Sequence, residues 1–110
     1  MSAPIGGLIR VAVNSSASGD NTLVAGVAGY QIAVREFALV PAGAVNATIK
    51  SGASTALTGA MPLGGGALAG LTGGYSPADH FLTNAGDPLV LNLSSAVAVT
   101  GYLIYSLYGA

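Results

Sequence analysis

Apolar and polar residues alternate along most of this chain with a period of two, the pattern of β-strands with one wet face. It appears first over residues 8–14, where Ile9, Val11 and Val13 alternate with Arg10, Ala12 and Asn14. Residues 15–21 are mostly Ser, Gly, Asp and Asn and predict a loop, followed by a short strand over 22–27. The run over 30–40 is the longest before the C-terminus, with Ile32 and Val34 on one face and Phe37 and Leu39 on the other. Its phase slips at Arg35 and Glu36, which a β-bulge or a midway change of packing partner would absorb. Pro41-Ala42-Gly43 predicts a turn closing a hairpin onto a strand over 44–50, because Pro presets the turn dihedral and Gly tolerates φ values that other residues avoid.

Ser51-Gly52 turns the chain into 54–58, and the Gly-rich region 59–74 predicts a long connection with one short strand around 67–71. A strand over 75–83 contains Phe81, Asn84-Ala85-Gly86-Asp87 forms a turn, and Leu89, Leu91 and Leu93 form the next hairpin arm. The last run, 97–108, places Leu103, Tyr105 and Leu107 on one face and Tyr102, Ile104 and Tyr108 on the other. Both faces are apolar, so this strand is expected in the middle of a sheet or at a subunit contact. Tyr102, Ile104, Tyr105 and Tyr108 are therefore the candidate oligomer interface. About eight short strands with no helical period predict an all-β fold, an antiparallel β-sandwich of jelly-roll type. Residues 1–7 are expected as a flexible arm and 8–110 as a single sandwich domain.

Composition sharpens this picture. At 110 residues, one core covering roughly two thirds of the unfolded surface is possible and a second is not. With 52% apolar residues, only seven aromatics and no Trp, small aliphatic side chains must fill that core. Charged residues are 6% of the chain, against about 25% in ordinary soluble domains. Such a chain is prone to self-association. Either much of its surface is covered in the working state, or the surface is Ser, Thr, Asn and Gly, polar without being ionic. Arg10, Arg35 and Lys50 are too few and too scattered to follow a phosphate backbone, so no nucleic-acid partner is expected. The mean hydropathy of +0.67 raises a membrane reading, but the charge-free stretches 51–78 and 88–110 are broken by Gly, Pro, Asn, Ser and Thr, so no membrane segment is expected. Residues 1–10 lack the basic and apolar regions of a secretory leader.

Candidate chemistry is sparse. The titratable acids are Asp20, Glu36, Asp79 and Asp87, with one His, His80, and no Gly-x-Ser-x-Gly elbow. The adjacent Asp79 and His80 would face opposite sides of a strand and could not chelate one ion together. Without Cys there are no disulfides or thiolate metal sites. Gly64-Gly65-Gly66-Ala67-Leu68-Ala69 echoes a dinucleotide-binding loop but lacks the flanking strand, helix and acidic partner, so no cofactor is expected. Tyr102, Tyr105 and Tyr108 could offer a sugar-stacking surface, but their spacing does not confine them to one face and favours packing. No catalytic site is expected, and the chain reads as a non-enzyme.

Several stretches carry a resemblance: Gly19-Asp20-Asn21-Thr22-Leu23-Val24, Gln31-Ile32-Ala33-Val34, Val40-Pro41-Ala42-Gly43-Ala44-Val45, Ile49-Lys50-Ser51-Gly52 and Thr55-Ala56-Leu57-Thr58-Gly59-Ala60-Met61. Ala85-Gly86-Asp87-Pro88-Leu89-Val90-Leu91-Asn92-Leu93 and Ala96-Val97-Ala98-Val99-Thr100-Gly101-Tyr102 extend it over residues 18–108. In their order they resemble the small decoration, or cement, proteins of tailed-bacteriophage heads. The resemblance implies a structural virion protein made in the host cytoplasm and carried on the outer capsid surface. It implies the major capsid protein as partner, a homo-oligomer that is a trimer rather than a dimer, and binding over capsomer junctions that stabilises the head. Related sandwiches occur in phage fibres, so a receptor- or carbohydrate-binding module of a fibre or tail is the alternative.

Overall fold

The computed structural model describes residues 4–64, 71–74 and 79–109. All of their regular structure is β. The strands are β1 (Pro4–Ser15), β2 (Gly19–Val24), β3 (Tyr30–Pro41), β4 (Val45–Ser51), β5 (Thr55–Ala56), β6 (Met61–Leu63), β7 (Leu71–Gly73), β8 (Phe81–Leu82), β9 (Leu89–Leu93) and β10 (Val99–Gly109). They form two antiparallel sheets. One runs β1-β10-β3-β7 with β8 also on β3, and the other runs β2-β9-β4-β5 with β6 also on β4. Apolar side chains from the two inner faces meet in one core, which includes Val13, Ile32, Val34, Leu39 and Leu103 from the first sheet and Val45, Ile49, Leu89, Leu91 and Leu93 from the second.

Pairing nests from the ends of the chain inwards: β1 with β10, β2 with β9, β3 with β7 and β8, and β4 with β5 and β6. The chain is thus one long antiparallel ribbon rolled up so that successive pairs fall alternately in the two sheets. This requires consecutive strands to cross the sandwich. Pro41-Ala42-Gly43-Ala44 does not close a hairpin, as its turn residues suggested, but carries the chain from β3 in one sheet to β4 in the other. Four residue steps of roughly 3.3 Å cover the gap of about 10 Å between packed sheets. The Asn84–Asp87 turn, anchored by Gly86 N to Tyr30 O at 2.9 Å, makes the same kind of crossing between β8 and β9.

The phase slip at Arg35 is a β-bulge. Ile104 lies opposite Glu36 while the next residue, Tyr105, lies opposite Val34, leaving Arg35 as the extra residue. Strict alternation would separate Ile32 and Val34 from Phe37 and Leu39; the bulge shifts the phase by one, and all four point into the core. The far edge of β3 also changes partner, from β8 at Ala33 and Val34 to β7 over Phe37–Leu39, so both expected devices are present.

Boundaries differ from expectation most at three strands. β1 begins at Pro4, whose register partner is Tyr108, so residues 4–7, expected as an arm, belong to the sheet; residues 1–3 lie outside the described residues. β2 takes in Gly19, Asp20 and Asn21, expected as loop, because these residues pair with Leu93, Asn92 and Leu91. β6 adds Met61-Pro62-Leu63 to β4 within the stretch expected as a connection. Residues 65–70 and 75–78 lie outside the described residues, and with them most of the strand expected near 67–71, the start of the 75–83 strand and most of the Gly64-Gly65-Gly66 pattern.

Candidate functional site

Among the described residues no group of three or more His, Asp or Glu comes together, and the surfaces of the two sheets carry the features that distinguish this chain. On the outer face of the second sheet lie Asp20 and Thr22 from β2, Asn92 from β9, and Asn46, Thr48 and Lys50 from β4, a polar surface. Asp20 accepts hydrogen bonds from Asn92 Nδ2 at 2.8 Å and Lys50 Nζ at 3.1 Å. The amide bond first, and the ammonium second, hold its carboxyl below the ordinary carboxylate range.

The outer face of the first sheet is different. The register places Ala12 and Asn14 of β1, Thr100, Tyr102, Ile104 and Tyr108 of β10, and Gln31, Ala38 and Val40 of β3 on it, with Leu82 of β8 at its edge. Leu82 is exposed, and so is Leu8 at the other edge, with 54% of its surface open. Of the seven charged residues in the chain, Arg10, Arg35, Glu36 and Asp79 gather here. Arg10 and Glu36 flank Ile104 in register from either side. Both turn towards Tyr102: the Arg10 guanidinium lies 4.9 Å from the ring centroid, and the phenol donates to Glu36 Oε2 at 2.5 Å. Arg35, on the bulge, pairs with Asp79 at 3.2 Å and lies 5.1 Å from the centroid of the Tyr108 ring. Arg35 is thus ion-paired with Asp79, Arg10 and Glu36 both lean on Tyr102, and the centre of the face around Tyr102 and Ile104 is apolar, with Asn14, Thr100 and Gln31 towards its ends.

The bond to Glu36 holds the Tyr102 phenol proton, and with desolvation and the Glu36 charge it raises the Tyr102 pKa above 10.0, with Arg10 acting weakly the other way. A folded-state pKa above the unfolded one stabilises the fold below the unfolded value and stops doing so as pH rises through the folded value. Alkaline spectrophotometric titration should therefore show Tyr102 ionising above the ordinary phenol range, together with a loss of stability as the pH rises through its ionisation. In Tyr102→Phe both features should disappear.

Of the four candidate interface residues, Tyr102, Ile104 and Tyr108 share this outer face and are half-buried, whereas Tyr105 points the other way and packs against the core. Arg10, Glu36, Arg35 and Asp79 were missed as members of the site because they come from three separate segments, β1, β3 and the residues before β8. The only signal in the sequence was the phase slip at Arg35 and Glu36.

His80 is occupied elsewhere. Its Nε2 bonds to the Gly74 carbonyl at 2.6 Å, and its ring stands edge-on to Phe37 with centroids 5.4 Å apart. Among the described residues, neither a serine nor a carboxylate is hydrogen-bonded to it as a triad would require. Asp79, its neighbour, is engaged with Arg35. Among the described residues no group of three or more His, Asp or Glu side chains comes together to hold a metal, and no helix is long and apolar enough to cross a membrane. A cleft of about 10 Å³ between the sheets, lined by Leu23, Val34, Phe37, Ile49, Phe81 and Leu103 among others, has room for about one water and none for an organic ligand. The chain matches no protein-family model, no curated protein and no solved structure.

Proposed function

We propose that this chain is a structural virion protein of a tailed bacteriophage, a capsid decoration protein that binds over capsomer junctions and stabilises the head. The observation that carries the reading is the contrast between the two outer faces. One is polar; the other presents Tyr102, Ile104, Tyr108, Ala38 and Val40, with Arg35 paired to Asp79 and Arg10 and Glu36 turned onto Tyr102. A neutral apolar face suits area-driven packing against protein, and many copies on a symmetric shell add through effective concentration, so no single contact need be strong. The major capsid protein is the partner, the apolar face is the one that meets it, and the polar face of Asp20, Lys50 and Asn92 points outward from the capsid. In this reading the protein is a homo-oligomer without catalytic activity, cofactor, nucleic-acid partner or membrane contact, and its sandwich is a jelly roll, for which the nested strand pairing is the support.

A carbohydrate-binding fibre module would use flat aromatic faces. Here a guanidinium already covers one side of each outward ring, Arg10 on Tyr102 and Arg35 on Tyr108, which favours packing over sugar stacking.

The test is co-sedimentation with purified heads lacking the protein. The unchanged protein should saturate heads in many copies per particle, with affinity that depends only weakly on salt, because the chain carries few charges and Arg35 and Lys50 are ion-paired within it. Ile104→Lys, which sets an ammonium in the middle of the apolar face, should weaken binding by about tenfold or more while leaving the melting temperature close to that of the unchanged protein. Equal binding by Ile104→Lys, or no binding of the unchanged protein to heads, would refute the reading.

A further inference from the structure

Sheet edges invite pairing with another strand, and folded proteins blunt them with charge, Pro, bulges or short length. In this sandwich most edges are blunted. β5, β6, β7 and β8 are two or three residues long. β2 carries Asp20, starts at Gly19 with φ +89° and breaks register between Thr22 and Val24. The edge of β1 is the exception. From Ile9 to Ser15 it pairs with β10 in seven unbroken steps, and among the described residues no strand pairs with its other side. That run has no Pro and no Gly. Its one charge, Arg10, leans over β10 onto the Tyr102 ring instead of guarding the edge.

We propose that this edge pairs with β1 of a second copy of the chain, antiparallel and two-fold symmetric about Ala12, joining two first sheets into one continuous sheet. The register follows from the side chains. A two-fold pair must set inward residues opposite inward ones, and the register centred on Ala12 does so while using the whole straight run. It sets Ala12 opposite Ala12, Val11 opposite Val13, Arg10 opposite Asn14 and Ile9 opposite Ser15. No like charges face each other. The half-covered Val11 gains a neighbour on its open side, and the main-chain groups of the edge gain partners.

The occupant is a second copy rather than an extended peptide for two reasons. A copy brings a strand already held straight by β10, so it loses little entropy on pairing. The strand is also complementary to itself, whereas a charge at position 12 would have forbidden self-pairing. The result is a two-fold pair in place of the trimer that the resemblance implies, with two apolar outer faces side by side. This inference rests on the edge and not on the capsid reading, so each can fail without the other.

The chain has no cysteine, which makes single-cysteine probes clean. Analytical ultracentrifugation of the unchanged protein should give a dimer. Ala12→Lys, at an exposed position, should raise the dissociation constant by about tenfold or more by opposing two ammonium groups, with an unchanged circular dichroism spectrum. Asn14→Lys, which opposes Arg10, should act in the same direction should Ala12→Lys disturb the fold. Ala12→Cys should cross-link to itself on mild oxidation, since directly opposed Cβ atoms about 5 Å apart lie within small adjustment of disulfide geometry. A monomer or a trimer at all concentrations, a dimer that withstands both lysine substitutions, or an Ala12→Cys protein that does not cross-link while Ile104→Cys does, would overturn the proposal.

Discussion

Gly101→Val is expected to be the most damaging single substitution outside the core. Gly101 sits in the central strand β10 with φ +148°, a conformation that side-chain-bearing residues avoid. A Cβ built there would lie 1.9 Å from the carbonyl oxygen of Ala38 and 2.8 Å from its carbon. These are backbone atoms of the paired strand β3, so no rotamer change relieves the clash, and β10 and β3 must separate where they carry the sheet. Backbone strain of about 1–3 kcal/mol and a similar overpacking cost suggest a loss near 4 kcal/mol, or a melting temperature lowered by about 15 °C. Gly59→Ala is the control. Nothing lies within 4 Å of a Cβ at that exposed position, and its melting temperature should stay close to that of the unchanged protein. Equal melting of Gly101→Val and Gly59→Ala would show that the approach of β10 to β3 is not so close.

The second large effect is expected at Leu91. It lies in the middle of β9, opposite Asn21 of β2 on one side and Ile49 of β4 on the other, and has no exposed surface. Its side chain faces those of the other sheet, so truncation opens a cavity that both sheets line. The rolled ribbon leaves little freedom to close it, because β9 is clamped on both edges. Leu91→Ala should cost about 3 kcal/mol in denaturant unfolding. Leu82→Ala, removing an exposed leucine of the same size, should cost well under 1 kcal/mol. The ratio between the two tests whether the core lies between the sheets as described.

Much of this architecture could be read from the residues, for reasons that also explain what could not. Strands with one wet face, such as Val45-Asn46-Ala47-Thr48-Ile49, declare themselves because burial alternates with the pleat. The break in that alternation at Arg35 was equally legible, and it located the bulge. Pairing was not legible. A turn such as Pro41-Ala42-Gly43 fixes local dihedrals but does not say whether the chain folds back beside itself or crosses to the other sheet. Met61-Pro62-Leu63 is too short for any period, and only its pairing with Val45, Asn46 and Ala47 makes it a strand. Asp20 and Asn21, loop formers by composition, are held in β2 by partners about 70 residues away.

The site shows the same division. Tyr102, Ile104 and Tyr108 were recognised as one face from spacing alone, and Tyr105 was grouped with them although its own parity sends it to the core. The charges that neutralise the face come from β1, the bulge of β3 and the segment before β8, and only the register brings them to β10. Their effect on function is to remove steering. With Arg10 and Glu36 turned onto Tyr102 and Arg35 onto Asp79, the face offers area and shape rather than charge.

Imaging the intact phage particle at subunit resolution tests the central claim most directly. The account predicts many copies of this chain on the outer capsid surface over capsomer junctions, with Tyr102, Ile104 and Tyr108 turned onto the major capsid protein and Asp20, Lys50 and Asn92 facing solvent. Finding no copies on the head, or finding the tyrosine face open to solvent in the bound protein, would contradict it.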